Sequence, residues 1–268
     1  MSSDDSDLSG YPDFNAPFEL VEAERNAGYD SCSTVSNHTM DQGLAGIRST
    51  LDTFDRVGVR HVGSARNPTE ARQLTIYQVG GIRIGHLAYA YGLNGRSAPN
   101  SWAVNLIDPA RIRSDARRIR QAGAQFVVVS LHFGTEQQQQ PTAYQRQVVD
   151  GVMASPDVDL VVGHHAHVVQ PIQRRSDGRW VIYGLGNLLA QQVVNAPNLT
   201  PPHRDGVIVT VRVAKNAAGR YAVTRVGYVP TFVNAPSDVV ELAPPFSAAR
   251  TVSIVTEFHA PVVNDTPR

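Results

Sequence analysis

The sequence predicts an α/β protein, and three short apolar runs are the main evidence for this fold class. The runs lie at residues 126–131, 159–163 and 180–185, are rich in valine and isoleucine, and each follows a segment with a helical or turn-forming pattern. Runs of this kind are typical of buried strands in an α/β sheet. Ligands of open α/β sheets bind beyond the carboxyl ends of the strands. The residues that follow these runs are therefore expected to share one site.

The other elements are predicted from hydrophobic periodicity and from local start and stop signals. Apolar residues at helical spacing indicate helices, and alternating apolar residues indicate hairpins. Asp108-Pro109 is typical of an N-cap and a first helical residue. The expected elements are helices at 18–27, 41–56, 108–121 and 142–154, strands at 29–35 and 59–62, a hairpin at 75–91 that turns at Gly80-Gly81, and an antiparallel hairpin at 207–229.

Length and composition indicate how many domains the chain contains. With 268 residues, 42% hydrophobic and 18% charged, it is long enough to bury a substantial core in one domain. Residues 1–17 are rich in Ser, Asp, Gly and Pro and are expected to form a flexible arm. Residues 18–235 are expected to form the domain, and residues 236–268 a C-terminal wrap or tail.

Charge and cysteine usage exclude several classes of function. The 24 basic and 24 acidic residues cancel without long blocks of either sign, which argues against a nucleic-acid partner. No apolar stretch approaches the ~20 residues of a membrane span, and residues 1–7 are too acidic for an export signal, so a soluble chain is predicted. The single cysteine, Cys32, excludes an intrachain disulfide and is expected to be a small buried strand residue rather than a reactive thiol.

Residues capable of metal chemistry follow the predicted strands. They are Asn37-His38, His132, His164-His165-Ala166-His167 and Asn187. Imidazole is the commonest metal-ligating side chain, and an extended segment would point His165 and His167 together and His164 away. The spacing favours a metal site, and a hydrogen-bonded structural cluster remains the alternative. The order of Asn-His, a lone His and His-x-His is similar to that of the calcineurin-like metallophosphoesterase superfamily.

Four ordered blocks make the resemblance more specific. They lie at 36–43, 130–136, 162–171 and 183–187 and contain Asn37-His38-Thr39-Met40-Asp41, His132-Phe133-Gly134-Thr135-Glu136, His164-His165-Ala166-His167 and Tyr183-Gly184-Leu185-Gly186-Asn187. These blocks resemble the signatures of the CapA family, the bacterial capsule synthesis proteins linked to poly-γ-glutamate. The resemblance extends from about residue 11 to 233. It implies a metallophosphatase sandwich, in which β-sheets are flanked by helices, with a divalent metal such as Mn, Fe or Zn.

The resemblance also implies roles for individual residues. By position, Asn37, His132 and His165 match second-metal ligands, and His167 matches a first-metal ligand. His38 matches the catalytic residue that faces the scissile group. Asp41 and Glu136 would orient His38 or act as an acid or outer-shell partner, and a helix cap or surface carboxylate is the equal alternative for each. Implied substrate-binding residues are His164, Tyr183 and Asn187, although Asn187 could instead serve only the shape of its turn.

The chain departs from the family at its amino-terminal end. Family members begin with apolar strands that end in metal-binding carboxylates, and nothing before Phe18 has this pattern. The chain is therefore expected to lack the first strands of the family fold, and its remaining neutral ligands are expected to bind metal more weakly.

Three hypotheses about function follow. The first is a metal-dependent hydrolase that acts in the synthesis of an anionic cell-surface polymer of the poly-γ-glutamate type, or on a phosphoester, through metal-activated water. The alternative is a catalytically inactive, truncated family member that binds polymer or a partner. The third is a single-metal binding module without turnover. The resemblance suggests the cell envelope or the extracellular space, whereas the chain carries no export signal.

Overall fold

The computed structural model describes residues 1–2, 4–189, 201–234 and 239–267. Its helices are α1 (Glu19–Asn26), α2 (Gly43–Val57), α3 (Pro109–Gln121), α4 (Ala143–Met153) and α5 (Pro245–Val255). Its strands are β1 (Ser31–Ser33), β2 (Arg60–Val62), β3 (Thr75–Val79), β4 (Ile82–Ala90), β5 (Phe126–Phe133), β6 (Leu160–His165), β7 (Ile172–Arg174), β8 (Trp180–Ile182), β9 (Asp205–Lys215), β10 (Tyr221–Asn234), β11 (Val239–Leu242) and β12 (Val262–Asn264). The predicted boundary between residues 235 and 236 lies outside the described residues.

The chain divides into two compact units. The first unit consists of Met1–Ala124 and Val129–His132, and the second of Gln125–Val128 and Phe133–Arg268. Strand β5 therefore contributes residues to both units. The arm, single domain and tail expected from the sequence stay a prediction.

The first unit contains two pairs of strands and a helix, α2, whose end is marked by a glycine. β1 and β2 pair in parallel, and β3 and β4 form the predicted antiparallel hairpin around Gly80-Gly81. α2 buries Ile47, Leu51 and Phe54 and ends at Gly58, whose φ of 79° suits a residue without a side chain. In the sheet order, β4 is the neighbour of β5.

Helix α3 begins where the sequence predicts. The side chain of Asp108 accepts a hydrogen bond from the backbone N–H of Ala110 at 2.8 Å, and Pro109 occupies the first helical position. The three apolar residues expected on its inner face are fully buried, and they are Ile112, Ala116 and Ile119. Because these signals are local, the sequence was sufficient to predict the helix.

The strands from the three apolar runs are neighbours in one sheet, and two of them, β6 and β8, lie wholly in the second unit. The sheet order contains β5, β6 and β8 in succession, and β6 and β8 pair in parallel with Leu160 opposite Trp180. This confirms the prediction that the runs are strands of one sheet. β8 ends at Ile182, three residues earlier than expected, and β7, which pairs with β8 in antiparallel orientation, was not predicted.

A separate four-stranded sheet follows in the same unit. β9 and β10 form the predicted antiparallel hairpin, and β11 and β12 pair with β10. The sequence did not predict β11 or β12, which have four and three residues respectively. Strands this short carry too few residues for a reliable alternation pattern.

Gly163 provides a test of the contact between β6 and the residues that follow β8. A Cβ atom at this position would lie 1.9 Å from the carbonyl oxygen of Tyr183. Gly163→Ala must therefore push the backbones apart, and we expect the free energy of unfolding to fall by about 1–3 kcal/mol or more. Gly92→Ala is the control, because a Cβ there meets nothing within 4 Å. Equal stabilities of the two variants in urea titrations would contradict the close approach.

Cys32 provides a test of packing around β1. Its Sγ lies 3.4 Å from the Glu24 carboxylate, and burial, followed by the charge of Glu24, raises the pKa of the thiol to about 12. Only a thiolate is nucleophilic, so we expect iodoacetamide at pH 8 to modify the folded protein at least roughly a hundredfold more slowly than the urea-unfolded chain. Glu24→Gln removes the smaller of the two causes of the raised pKa, so this variant is expected to keep most of its protection from iodoacetamide. Similar rates in folded and unfolded protein, followed by mass spectrometry, would show that Cys32 is accessible.

Candidate metal centre

The first unit contains a group of polar residues that we call the amide cluster. It consists of Asn37, His38, Asp41, Asn94 and His132. Asn37 is 4% exposed, and its Oδ1 lies 2.8 Å from Nε2 of His132. Its Nδ2 donates to Oδ1 of Asn94 at 3.0 Å. The structure thus brings together two of the predicted metal ligands, Asn37 and His132, although they are 95 positions apart in the chain.

His38 is held by a carboxylate within the same cluster. Its Nδ1 lies 2.7 Å from Oδ2 of Asp41, whose side chain is 2% exposed. The same oxygen accepts the backbone N–H of Phe14 at 2.9 Å, and the ring of Phe14 packs edge-on against His38 at 4.7 Å. This geometry is that of a residue that orients an imidazole, as the resemblance implies for Asp41. The catalytic role of His38 stays a prediction.

The second unit contains a group that we call the histidine cluster. It consists of Glu136, His165, His167 and Asn187. One possible ligand atom from each of Glu136, His165 and His167 lies within 4.8 Å of the other two. His165 is 8% exposed, whereas Glu136 is exposed. Two predicted metal ligands are thus accompanied by a carboxylate that the sequence had suggested only as an acid or outer-shell partner.

The expected reason for the convergence of His165 and His167 is wrong. An extended segment was predicted to place alternate side chains on one face, but β6 ends at His165. His165 and His167 both have positive φ, at 94° and 57°, so the chain turns sharply here. The ring centroids are 6.2 Å apart. Strained backbone of this kind clusters at functional sites.

The three residues predicted to bind substrate have different surroundings. Asn187 is 8% exposed, and its Oδ1 lies 2.9 Å from Nδ1 of His167. Tyr183 is buried, donates its hydroxyl to Gln173 at 3.1 Å and packs against Phe258, as a core residue does. Burial lowers the pKa of His164 to about 4, so this imidazole is neutral at pH 7. Substrate binding by these residues stays a prediction.

The donors of both clusters suit a divalent metal ion. Two ligand atoms that bind one ion at ~2.1 Å lie about 3 Å apart when they are adjacent in the coordination sphere. The 2.8 Å between Asn37 Oδ1 and His132 Nε2 fits this separation. The histidine cluster supplies two imidazoles and one carboxylate, a ligand set that Zn, Fe and Mn accept. A pair of its atoms at the 4.8 Å limit would have to close by more than about 1 Å to reach this separation.

The sequence did not identify Asn94 as a member of the amide cluster, and it did not identify Glu136 as a possible metal ligand. Asn94, which contacts both Asn37 and His38, was not singled out. The available signal was its position just after β4, the sheet neighbour of β5, where polar residues collect at strand ends. Glu136 was named, but its place beside His165 and His167 depends on a turn that the sequence does not reveal.

Comparison with known proteins identifies the family. Residues 1–192 match the family model described as "Bacterial capsule synthesis protein PGA_cap". The chain belongs to this family. Its curated relatives include PGA biosynthesis protein CapA of Bacillus subtilis (strain 168), which is 30% identical over 212 residues, covering 77% of this chain and 53% of that protein. Capsule biosynthesis protein CapA of Bacillus anthracis is 27% identical over 183 residues, covering 66% and 44% respectively. The chain therefore spans about half the length of these relatives.

Solved structures confirm the predicted fold. The structure is similar to that of the calcineurin-like phosphoesterase YfkN from Bacillus subtilis, with a TM-score of 0.53 and 14% sequence identity. The superposition covers 90% of this chain and 72% of YfkN. At this identity the likeness concerns the fold alone, which is a calcineurin-like α/β fold. None of the helices in the described ranges is long and apolar enough to cross a membrane.

Asp41→Ala tests the contact between the amide cluster and residues near Phe14. The substitution removes the acceptor of the Phe14 N–H, so we expect this amide to exchange with deuterium at least about tenfold faster. Asp30→Ala is the control, because its carboxylate is exposed and lies 3.8 Å from the Arg25 guanidinium. Hydrogen exchange measured by mass spectrometry gives the rates. Complete exchange at Phe14 within seconds in the unmodified protein would instead support the flexible arm.

Proposed function

We propose that this chain is a metal-dependent hydrolase that acts in the synthesis of a poly-γ-glutamate-type polymer at the cell envelope. The observation that carries the proposal is the convergence of ligand atoms from Glu136, His165 and His167 within 4.8 Å. The names of the relatives, which refer to PGA and capsule biosynthesis, support the choice of polymer.

The histidine cluster would hold one divalent ion through His165, His167 and Glu136. When bound, the ion supplies Lewis-acid chemistry and lowers the pKa of a water molecule. The carboxylate of Glu136 offsets part of the ion's charge, which two neutral imidazoles cannot do. This answers one electrostatic difficulty of the sequence, in which all assigned ligands were neutral.

The amide cluster of the first unit is a second group of residues that suits hydrolytic chemistry. Asn37 and His132 offer an oxygen and a nitrogen with the separation of adjacent ligands. The resemblance assigns both of them, together with His165, to the second metal. Oδ2 of Asp41 accepts the Nδ1–H of His38, so Nε2 of the protonated ring could donate a proton or a hydrogen bond to a leaving group. His38 would thereby stabilise negative charge that develops when an amide or ester bond breaks.

Metal binding is the first test of the proposal. Protein stripped with chelator should bind Mn²⁺ or Zn²⁺ in calorimetric titrations. His167→Ala and Glu136→Gln should each weaken binding by about a hundredfold, because the first removes a ligand and the second removes the negative charge that offsets the ion. His259→Ala and Glu241→Gln are matched controls in exposed positions of the same unit and should bind as the unmodified protein does. No bound ion above background in metal analysis would refute the proposal.

Turnover is the second part of the same test. The metal-loaded protein should hydrolyse γ-glutamyl oligomers or aryl phosphoesters, and His38→Ala should lower kcat by roughly 10²–10⁴-fold with metal affinity retained. Metal binding without hydrolysis of either substrate class would refute the hydrolase and favour the alternative, a family member that binds polymer without turnover.

A further inference from the structure

The Asn187 side chain lies between two groups that fix the orientation of its amide. On one side, Nδ2 donates to the backbone carbonyl oxygen of His203 at 2.7 Å. A carbonyl oxygen can only accept, so the NH₂ end of the amide must face His203. Oδ1 must then face Nδ1 of His167, from which it is 2.9 Å away.

This orientation determines where the proton of His167 resides. An amide oxygen can only accept a hydrogen bond, so Nδ1 of neutral His167 must carry the hydrogen. Nε2 then keeps its lone pair. A histidine that binds a metal through one ring nitrogen commonly donates the other N–H to an oxygen acceptor, which fixes both tautomer and ring plane.

We propose that Asn187 is a positioning residue that holds His167 as the Nδ1–H tautomer and aims Nε2 at a divalent cation. This inference rests on the proposed function for the identity of the ligand, but the tautomer itself does not depend on metal. It assigns Asn187 a role other than substrate binding, because both ends of its amide are already engaged within the protein.

The backbone around Asn187 is fixed by a close approach of two glycines. Gly186 and Gly206 form an isolated antiparallel bridge, with the N–H of Val207 bonded to the carbonyl of Leu185 at 2.9 Å. A Cβ at Gly206 would lie 2.3 Å from the carbonyl oxygen of Asn187, and a Cβ at Gly186 would lie 2.3 Å from that of Asp205. Only glycine permits this contact at either position.

Helix α5 anchors the same strand from the other side. The carboxylate of Asp205, at the start of β9, accepts Oγ–H of Ser247 at 2.6 Å and two N–H groups of Arg250 at 2.5 and 2.8 Å. Asp205 is 1% exposed, so this charge is fully paired inside the protein. Residues beyond the 1–192 family match therefore hold Asn187 in place.

The tautomer of His167 is the direct test. Long-range ¹H–¹⁵N spectra of metal-free, ¹⁵N-labelled protein at pH 8 distinguish the two neutral forms, and the spectrum of His167→Gln assigns the signal by its loss. We expect the Nδ1–H form in the unmodified protein. The Nε2–H form there would overturn the proposal without any Asn187 variant having to fold.

Variants then test what holds the tautomer. Asn187→Ala removes the acceptor, so we expect a mixture of tautomers and a 10–100-fold loss of Zn²⁺ affinity, as for other outer-shell partners. Asn187→Asp keeps an acceptor for Nδ1–H and is expected to keep the tautomer. Asn264→Ala, an exposed asparagine of the same unit, is the control and should change neither property.

The outcomes separate this inference from the proposed function. A retained tautomer and unchanged Zn²⁺ affinity in Asn187→Ala would overturn the positioning role even if the protein binds metal. An Nδ1–H tautomer that is lost in Asn187→Ala would support the positioning role. If the unmodified protein then bound no ion, the proposed metal function alone would fail.

Discussion

A hydrogen bond between an asparagine amide and a histidine ring occurs in each of the two units, and the candidate cluster of each unit depends on its own pair. In the first unit, Asn37 contacts Nε2 of His132, and in the second, Asn187 contacts Nδ1 of His167. The two pairs differ in consequence. Asn37 and His132 would both be ligands, so a cation would replace their mutual contact. Asn187 would instead keep its contact and leave the opposite ring nitrogen to the cation.

Charge balance distinguishes the proposed site from the one that the sequence first indicates. Amide and imidazole donors are neutral, and a divalent ion among them alone would be poorly compensated. Glu136 supplies a negative charge beside His165 and His167. Because Glu136 is exposed, whereas His165 is buried and His167 half-buried, the carboxylate can move toward an ion at little cost in packing. We therefore expect the affinity of this site for a divalent metal ion to depend strongly on Glu136, although Glu136 is exposed.

Local signals explain what could be predicted from the sequence. The Gly80-Gly81 turn, the Asp108-Pro109 cap and the valine-rich runs each act within a few residues, and the corresponding elements formed as expected. The convergence of His165 and His167 depends on positive φ at non-glycine residues, which no residue type there signals. The contact of Asn94 depends on the order of the strands in the sheet. The contact of Asn187 depends on His203, which lies outside any motif in the sequence.

The bond from Asn187 to His203, together with the bonds from α5 to Asp205, has a consequence for how fragments of this protein should be chosen. A fragment that ends with the family match at residue 192 would keep every proposed ligand and lose the groups that hold the Asn187 amide. Its His167 ring would be free to exchange tautomers. An alignment-defined end is therefore not a folding boundary in this chain, and the excised fragment would underestimate the affinity of the intact protein for metal.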